Sequence, residues 1–390
     1  MRVSELEKQL AAKGVSETPT AAAMPASAAV GSASKARTEA GLQPGEDTAT
    51  QLSGDAARES IVERGVMLHG FADVQAIRPS PSGEASRRGF ALGSVDLYLT
   101  PELGDHVRGL MELNMGPGEA GVDVERLQLG YAFSDALTLW LGRFHTPFGY
   151  WNLAYHHGAQ LQTSILRPRM LDFEDDGGFL PVHTTGLWAT GGQRIGGDRI
   201  TYHAYLGNGA RISSGHLEPN ANGDDNGNRA FGVAASYRMN GMTIGLNAHT
   251  EEVDVHDALG ATTSRNRVRI LGGHVSVERD NWELLGEGYL FRNSDLSGSS
   301  GSHRSWSAYA QIGRLVGERW EPYLRLEKAS LDPTDSYFAS LVSGQFSRRV
   351  VLGLRYNTDP RAALKLEWNR TNERGLPSSG ALRLQYALAF

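Results

Sequence analysis

The chain has 390 residues, no cysteine, 47 glycines and a formal net charge of -6. The absent cysteine removes disulfide, thiolate-metal and cysteine-nucleophile chemistry, and the small negative charge gives no reason to expect a nucleic-acid partner. Mean hydropathy is -0.35, and no apolar run approaches the roughly 18 residues of a membrane helix, which excludes a helical membrane protein but leaves a β-barrel, whose lumen-facing half is polar.

Three regions are expected. In residues 1–14, Val3, Leu6 and Leu10 are spaced by three and four and closed by Gly14, the pattern of a short amphipathic helix. Two readings stay open: a frayed isolated helix, or the remnant of a trimerising coiled coil. The N-terminus holds no apolar core of the kind an export signal needs, so the signal that a barrel requires is expected to have been removed or to lie upstream. Residues 15–60 are Ala, Ser, Thr, Gly and Pro with scattered charge and almost no large apolar side chain. Such a segment cannot bury enough surface to offset its ordering entropy, and is expected to be a periplasmic linker. Residues 61–390 are expected to form the barrel.

From Arg64 the chain alternates apolar and polar residues in units of about ten, the signature of a membrane-spanning strand. Sixteen units are predicted: 65–75, 88–99, 106–115, 122–133, 136–144, 184–191, 199–207, 229–239, 242–253, 268–278, 282–292, 306–315, 320–328, 348–357, 362–370 and 381–390. Short turns follow the even-numbered units and long loops the odd ones, with Asn240-Gly241 the strongest hairpin signal and GGQRIGGD a longer sixth turn. The fold class is therefore all-β: a transmembrane antiparallel barrel of about 16 strands with both termini on the short-turn side. Leu364, Leu366 and Trp368 are predicted to face lipid, and Lys365 and Glu367 the lumen. Aromatic residues at both strand ends, among them Phe133, Trp282 and Trp320 at one and Phe231, Trp306 and Trp368 at the other, are expected to mark two interfaces. The last strand ends on Phe390 and resembles the C-terminal signal read by the bacterial barrel-assembly machinery, so that machinery and outer-membrane lipid are expected partners.

The fifth unit breaks at HTPFGYW and leads into an irregular segment that ends at Val182. The run LGRFHTPFGYWN, with Gly142, Arg143, Phe144, Pro147, Phe148 and Gly149, resembles the phosphate-selective porin O/P superfamily, which includes trimeric dicarboxylate-type porins with an N-terminal coiled coil. The resemblance extends loosely over residues 64–390. It implies a trimeric diffusion channel of 16 or 18 strands whose long third loop folds into the barrel. Members that select phosphate line the channel with arginine and lysine, whereas this loop carries an acidic run, so phosphate selectivity is not expected.

A loop inside a wide barrel sets selectivity through radius and charge. Here Arg167 and Arg169 stand on one side of the sequence, and Asp172, Glu174, Asp175 and Asp176 on the other. They are read either as a charged constriction or as ion pairs that pin the loop. Arg108, Arg126, Arg325, Lys365 and Arg383, with Asp96, Glu112, Glu327 and Glu367, are predicted to line the lumen wall, a mixed set with no clear sign.

His156, His157 and His183 lack a standard metal-ligand spacing and are read as solvated loop histidines. Asn222, Asp224 and Asn226 echo half a calcium loop, but Val233 stands where its last carboxylate would be. No metal, cofactor or catalytic group is expected. The functional expectation is passive diffusion of small polar or charged solutes across the bacterial outer membrane. The alternatives are a structural or adhesive barrel, and a barrel-borne hydrolase for which His274 and Ser276 offer only a same-strand pair.

Overall fold

The computed structural model describes residues 66–80, 88–101, 103–116 and 122–390. The helix expected in 1–14 and the linker expected in 15–60 lie outside them. The first seven strands are β1 (Val66–Pro79), β2 (Gly89–Pro101), β3 (Val107–Met115), β4 (Asp123–Ser134), β5 (Leu137–His145), β6 (His183–Ile195) and β7 (Asp198–Asn208). A small hairpin follows, β8 (Ala210–Ser213) and β9 (His216–Pro219). The wall then continues with β10 (Arg229–Met239), β11 (Met242–His256), β12 (Thr262–Arg279), β13 (Trp282–Asp295) and β14 (Ser302–Arg314). It ends with β15 (Trp320–Ser330), β16 (Phe346–Asp359), β17 (Ala362–Glu373) and β18 (Ser379–Ala389).

Each wall strand pairs antiparallel with its neighbours in chain order, β7 passes directly to β10, and β1 pairs with β18. The sheet is closed. The β8–β9 hairpin is not part of the wall: β8 pairs in parallel with the end of β11, and Ala210, Ile212 and Leu217 are buried in the same apolar cluster as the third loop. The remaining sixteen strands correspond one to one with the sixteen predicted units. The sixth turn is a correction: β6 runs to Ile195, so GGQRIGGD is mostly strand and the turn itself is Gly196-Gly197. Two-residue turns also join β10 to β11 at Asn240-Gly241 and β12 to β13 at Asp280-Asn281. All four of these residues have positive φ, the backbone that matches the twist of a tight hairpin and that Asn, Asp and Gly tolerate best.

Alternation sets the two faces. On β17, Leu364 and Leu366 are 37% and 46% exposed while Lys365 and Glu367 between them are 0% and 1%. Leu384 on β18 is likewise exposed, at 42%. A soluble sandwich would invert this arrangement by burying leucine and exposing lysine. The exposed aromatics include Phe133, Trp282, Trp320 and Phe390 toward the short turns, and Phe231, Trp306 and Trp368 toward the long loops. Closure is secured at the chain end, where Phe390 and Gly70 exchange backbone hydrogen bonds of 2.9 Å in both directions.

Inside the barrel the cross-section is not empty. Phe148, Trp151, Phe179, Leu180 and Val182 of the third loop are fully buried, as are Tyr337 and Phe338 from the loop between β15 and β16. The Phe179 ring lies 5.9 to 6.5 Å from those of Phe291, Phe338 and Phe346, and Phe291 lies 5.2 Å from Phe338. The apolar core of this protein is therefore between loop and wall, inside a cylinder whose outer surface is also apolar.

Candidate functional site

The site is the lumen and the segment 146–182 that crosses it. Its neck is closed where Thr146 N–H donates to the Val182 carbonyl at 2.9 Å, and the Asn152 side-chain amide donates to the carbonyls of Thr146 and Val182 at 2.9 and 3.0 Å. Two glycines of the GRF-x-x-PFG run are sterically required there. Gly142 has a φ of +132°, and a Cβ on it would stand 1.8 Å from the Leu127 carbonyl oxygen. Gly149 has a φ of +58°, and a Cβ would stand 1.7 Å from the Glu287 carboxylate. Phe144 packs against Trp188 and Tyr205, Phe148 against His249 and Tyr289, and Arg143 donates to the Val124 carbonyl beside Asp123 and Glu125. Pro147 lines the small space between the loop and β6, β7, β10 and β11.

The far wall grips the loop backbone through charged side chains. Glu287 accepts from the backbone N–H of Tyr150 and Trp151 at 3.2 and 2.6 Å, and from the hydroxyls of Tyr289 and Tyr309. Glu283 accepts from the Thr163 hydroxyl, and Glu367 from the N–H groups of Ile165 and Leu166. Arg355 donates to the carbonyls of Gln160 and Gln162, and Lys365 to those of Ala159 and Ser164. Arg325, wholly buried, donates to the Ser164 hydroxyl, to the carbonyls of Leu166 and Arg167, and to Glu327 at 2.9 Å. Glu327 in turn accepts from Arg169 N–H at 2.7 Å. An irregular segment away from bulk water must satisfy its backbone polar groups somewhere, and here wall charges provide the partners that strand pairing would otherwise supply.

The predicted loop residues divide. Arg169 pairs with Asp172 at 3.2 Å and donates to the Asp176 carbonyl. Arg167 makes its bonds to the carbonyls of Leu171 and His156 and lies 4.0 Å over the Phe173 ring. Glu174 is buried and accepts from His183 through both backbone and ring. Asp175 and Asp176 remain exposed. Asp176 is exposed to the lumen, but the protein crowded around it strips part of its hydration, and this, with the like charges of Asp172 and Asp175, holds its carboxyl up to about 6. On the wall, Glu112 pairs with Arg126, Asp96 accepts from Asn114, and Arg383 reaches the Asn369 side chain. Arg108 lies near the short-turn end of β3, where it bonds the carbonyls of Gly104 and Val107.

The solvated reading of the loop histidines is overturned. His156, His157 and His183 are buried, and together with Glu125 they bring one donor atom each within 4.8 Å of all the others. His145 stacks on His156 with ring centroids 3.6 Å apart. Glu125 was not foreseen because β4 has a bulge there. Glu112 opposes Arg126 and Leu113 opposes Val124, which leaves Glu125 as the extra residue. Both Glu125 and Arg126 are buried as a result, where strict alternation would have put one of them in lipid. Burial pulls the His157 imidazole down, but the Asp96 and Glu125 carboxylates outweigh it and hold it up to about 10. His156, buried beside His145 and Arg167, is pushed well below the usual range.

No family model matches the sequence, and no curated protein sequence matches it. Solved structures do match. The anion-selective porin from Comamonas acidovorans superposes with a TM-score of 0.59 at 14% identity, over 84% of this chain and 100% of that one. OmpT of Vibrio cholerae with its loop L8 deleted, an outer membrane protein, gives 0.56 at 9% identity over 84% and 99%. OmpF of Salmonella typhi, solved with daunomycin, gives 0.54 at 9% identity over 83% and 97%. This likeness is one of fold: a closed sixteen-stranded barrel of the porin type.

Proposed function

We propose that the protein is an outer-membrane porin through which small polar or charged solutes diffuse passively, with the 146–182 loop as the constriction. The observation that carries this reading is an apolar outer wall around a lumen rich in charge, crossed by a loop that the wall holds in place. The GRF-x-x-PFG run supports a place in the phosphate-selective porin O/P superfamily and, with it, a homotrimer. Export to the outer membrane through the barrel-assembly machinery, with the N-terminal extension in the periplasm, belongs to the same reading.

The balance of charge along the lumen favours cations. Both loop arginines are engaged, whereas Asp175 and Asp176 are exposed. A recess of about 490 Å³ beside Gln160 of the loop, toward the short turns, carries six acidic side chains against three arginines. Reversal potentials in a salt gradient across planar bilayers are therefore expected to show cation preference at pH 7.5. That preference should weaken as pH falls through about 6, because the Asp176 carboxyl then takes up a proton and loses its charge. The Asp176→Asn variant should show the weaker preference throughout and a flatter pH profile. Anion preference at pH 7.5 would reject the assignment.

The closeness of the loop packing favours a second reading, a structural or adhesive barrel; a purified protein that never conducts in bilayers would select it. Two further outcomes follow from the geometry. Gly149→Ala should displace Glu287 from the loop backbone, costing about 1–3 kcal/mol through the buried polar groups left without partners, seen as a lower urea midpoint. Deleting Phe390 removes the last backbone pair of the β1–β18 ladder and the terminal aromatic ring, and surface yield should drop markedly; an unchanged yield would count against its role in assembly.

A further inference from the structure

Glu125, His156, His157 and His183 form a cluster whose hydrogen bonds all lie on its outside. The Asn152 amide nitrogen is committed to two carbonyls, so its oxygen is the acceptor for His156 Nδ1 at 2.7 Å. His157 Nδ1 faces the Asp96 carboxylate at 3.1 Å, with the Asn114 amide nitrogen at 3.3 Å. His183 Nδ1 faces Glu174 at 3.0 Å. An acceptor opposite Nδ1 holds a proton there, so in the neutral ring, the form that binds a metal, the lone pair is on Nε2. None of the three Nε2 atoms has a hydrogen-bond partner outside the cluster. Two of them lie close to the carboxylate of Glu125, His157 Nε2 at 3.4 Å and His183 Nε2 at 3.0 Å.

We propose that these four residues form a structural site for a divalent transition metal of the zinc type, which fastens the constriction loop to the wall. Three imidazole nitrogens and a carboxylate turned toward one another away from water need a positive charge between them, either a proton or a metal ion. Three nitrogens and one oxygen are a donor set that suits tetrahedral zinc or cobalt, and four protein ligands close the coordination sphere as structural sites do. Ligand atoms around tetrahedral zinc lie roughly 3.3 Å apart, from metal–nitrogen distances of about 2.0 Å. The Nε2 atoms of His157 and His183 already stand near that spacing from Glu125, at 3.4 and 3.0 Å, and the other donor atoms, all within 4.8 Å of one another, would draw in around the ion. Its outer shell of Asp96, Asn152 and Glu174 orients the rings as second partners of metal-bound histidines do. The site joins three parts of the chain: β4 through Glu125, the loop through His156 and His157, and the start of β6 through His183. A proton shared within the cluster is the rival occupant.

The test uses the full-length protein purified in detergent, stripped with chelator and then titrated with zinc or cobalt alone. One metal per chain is expected after removal of free ions, with cobalt giving the intense visible bands of tetrahedral coordination. Zinc should also raise the thermal unfolding midpoint of the stripped protein, a reading that needs no variant. The double variant His156→Gln/His183→Gln should lose the bound metal and the shift, while His106→Gln, on the exposed end beside β3, should keep both. Asp96→Asn should bind about 10- to 100-fold more weakly. Absence of stoichiometric metal and of any zinc-dependent shift in the wild type, or equal binding by the double variant, would overturn the site and leave the proton as its occupant. Neither result bears on whether the barrel conducts.

Discussion

Replacing Arg325 with alanine is expected to destabilise the barrel by about 3–5 kcal/mol, the range for removing one member of a buried charged pair. The residue is wholly buried on β15. Its guanidinium satisfies a hydroxyl, two loop carbonyls and the Glu327 carboxylate at once. Without it Glu327 keeps the Arg169 N–H and Arg349 at 3.8 Å, but loses its nearest cation. The loop carbonyls of Leu166 and Arg167 lose donors in a place water does not easily replace; Arg349 still reaches the second at 3.3 Å. The urea midpoint should fall steeply. Single-channel conductance should rise and become noisier, because the loop is released from the wall that holds it in place. An unchanged midpoint would mean that the lumen is wet enough to solvate these groups. The Arg325→Lys variant keeps the charge but not the forked donors, and should recover only part of the loss.

Leu366→Arg is the second large effect and tests the opposite face of the same wall. Leu366 stands in the middle of β17, 46% exposed between the buried Lys365 and Glu367. If that exposure is to lipid, an arginine near the midplane costs about 2–4 kcal/mol, whereas the same charge at the interface costs about 0–1 kcal/mol. Trp320→Arg, at the start of β15 beside a short turn, is the matching control. Folding into lipid vesicles followed by urea titration reads both. Equal midpoints for the two variants would remove the membrane-facing assignment, since a water-facing sheet surface accepts arginine at either place.

These two variants separate what was legible in the amino-acid order from what was not. Leu366 could be assigned to the outside, and Lys365 and Glu367 to the inside, from period-2 alternation alone. Strand geometry turns successive side chains to opposite faces, and only a closed cylinder makes the leucine side the exposed one. The sixteen strands, the Asn240-Gly241 turn and the place where the third loop leaves the wall follow from the same local rules. Even the two glycines of the GRF-x-x-PFG run stand out, although the reason for them, the Leu127 carbonyl and the Glu287 carboxylate, does not.

The partners of the inward charges were beyond reach of the sequence. Arg325 and Ser164 are 161 positions apart, and Lys365 and Ala159 are 206 apart. No periodicity relates such positions, because the loop path is set by the closed barrel around it. The histidine cluster was hidden for two reasons. His157 and His183 meet only because the loop returns to the strand next to its origin. Glu125 reaches them only because a bulge in β4 breaks the alternation at one residue. Local backbone preference and side-chain polarity therefore determined the wall, its two faces and its turns. Only tertiary structure decided which wall charges hold the loop and which side chains converge inside it, since those contacts join segments far apart in the chain through a lumen that exists only once the barrel has closed.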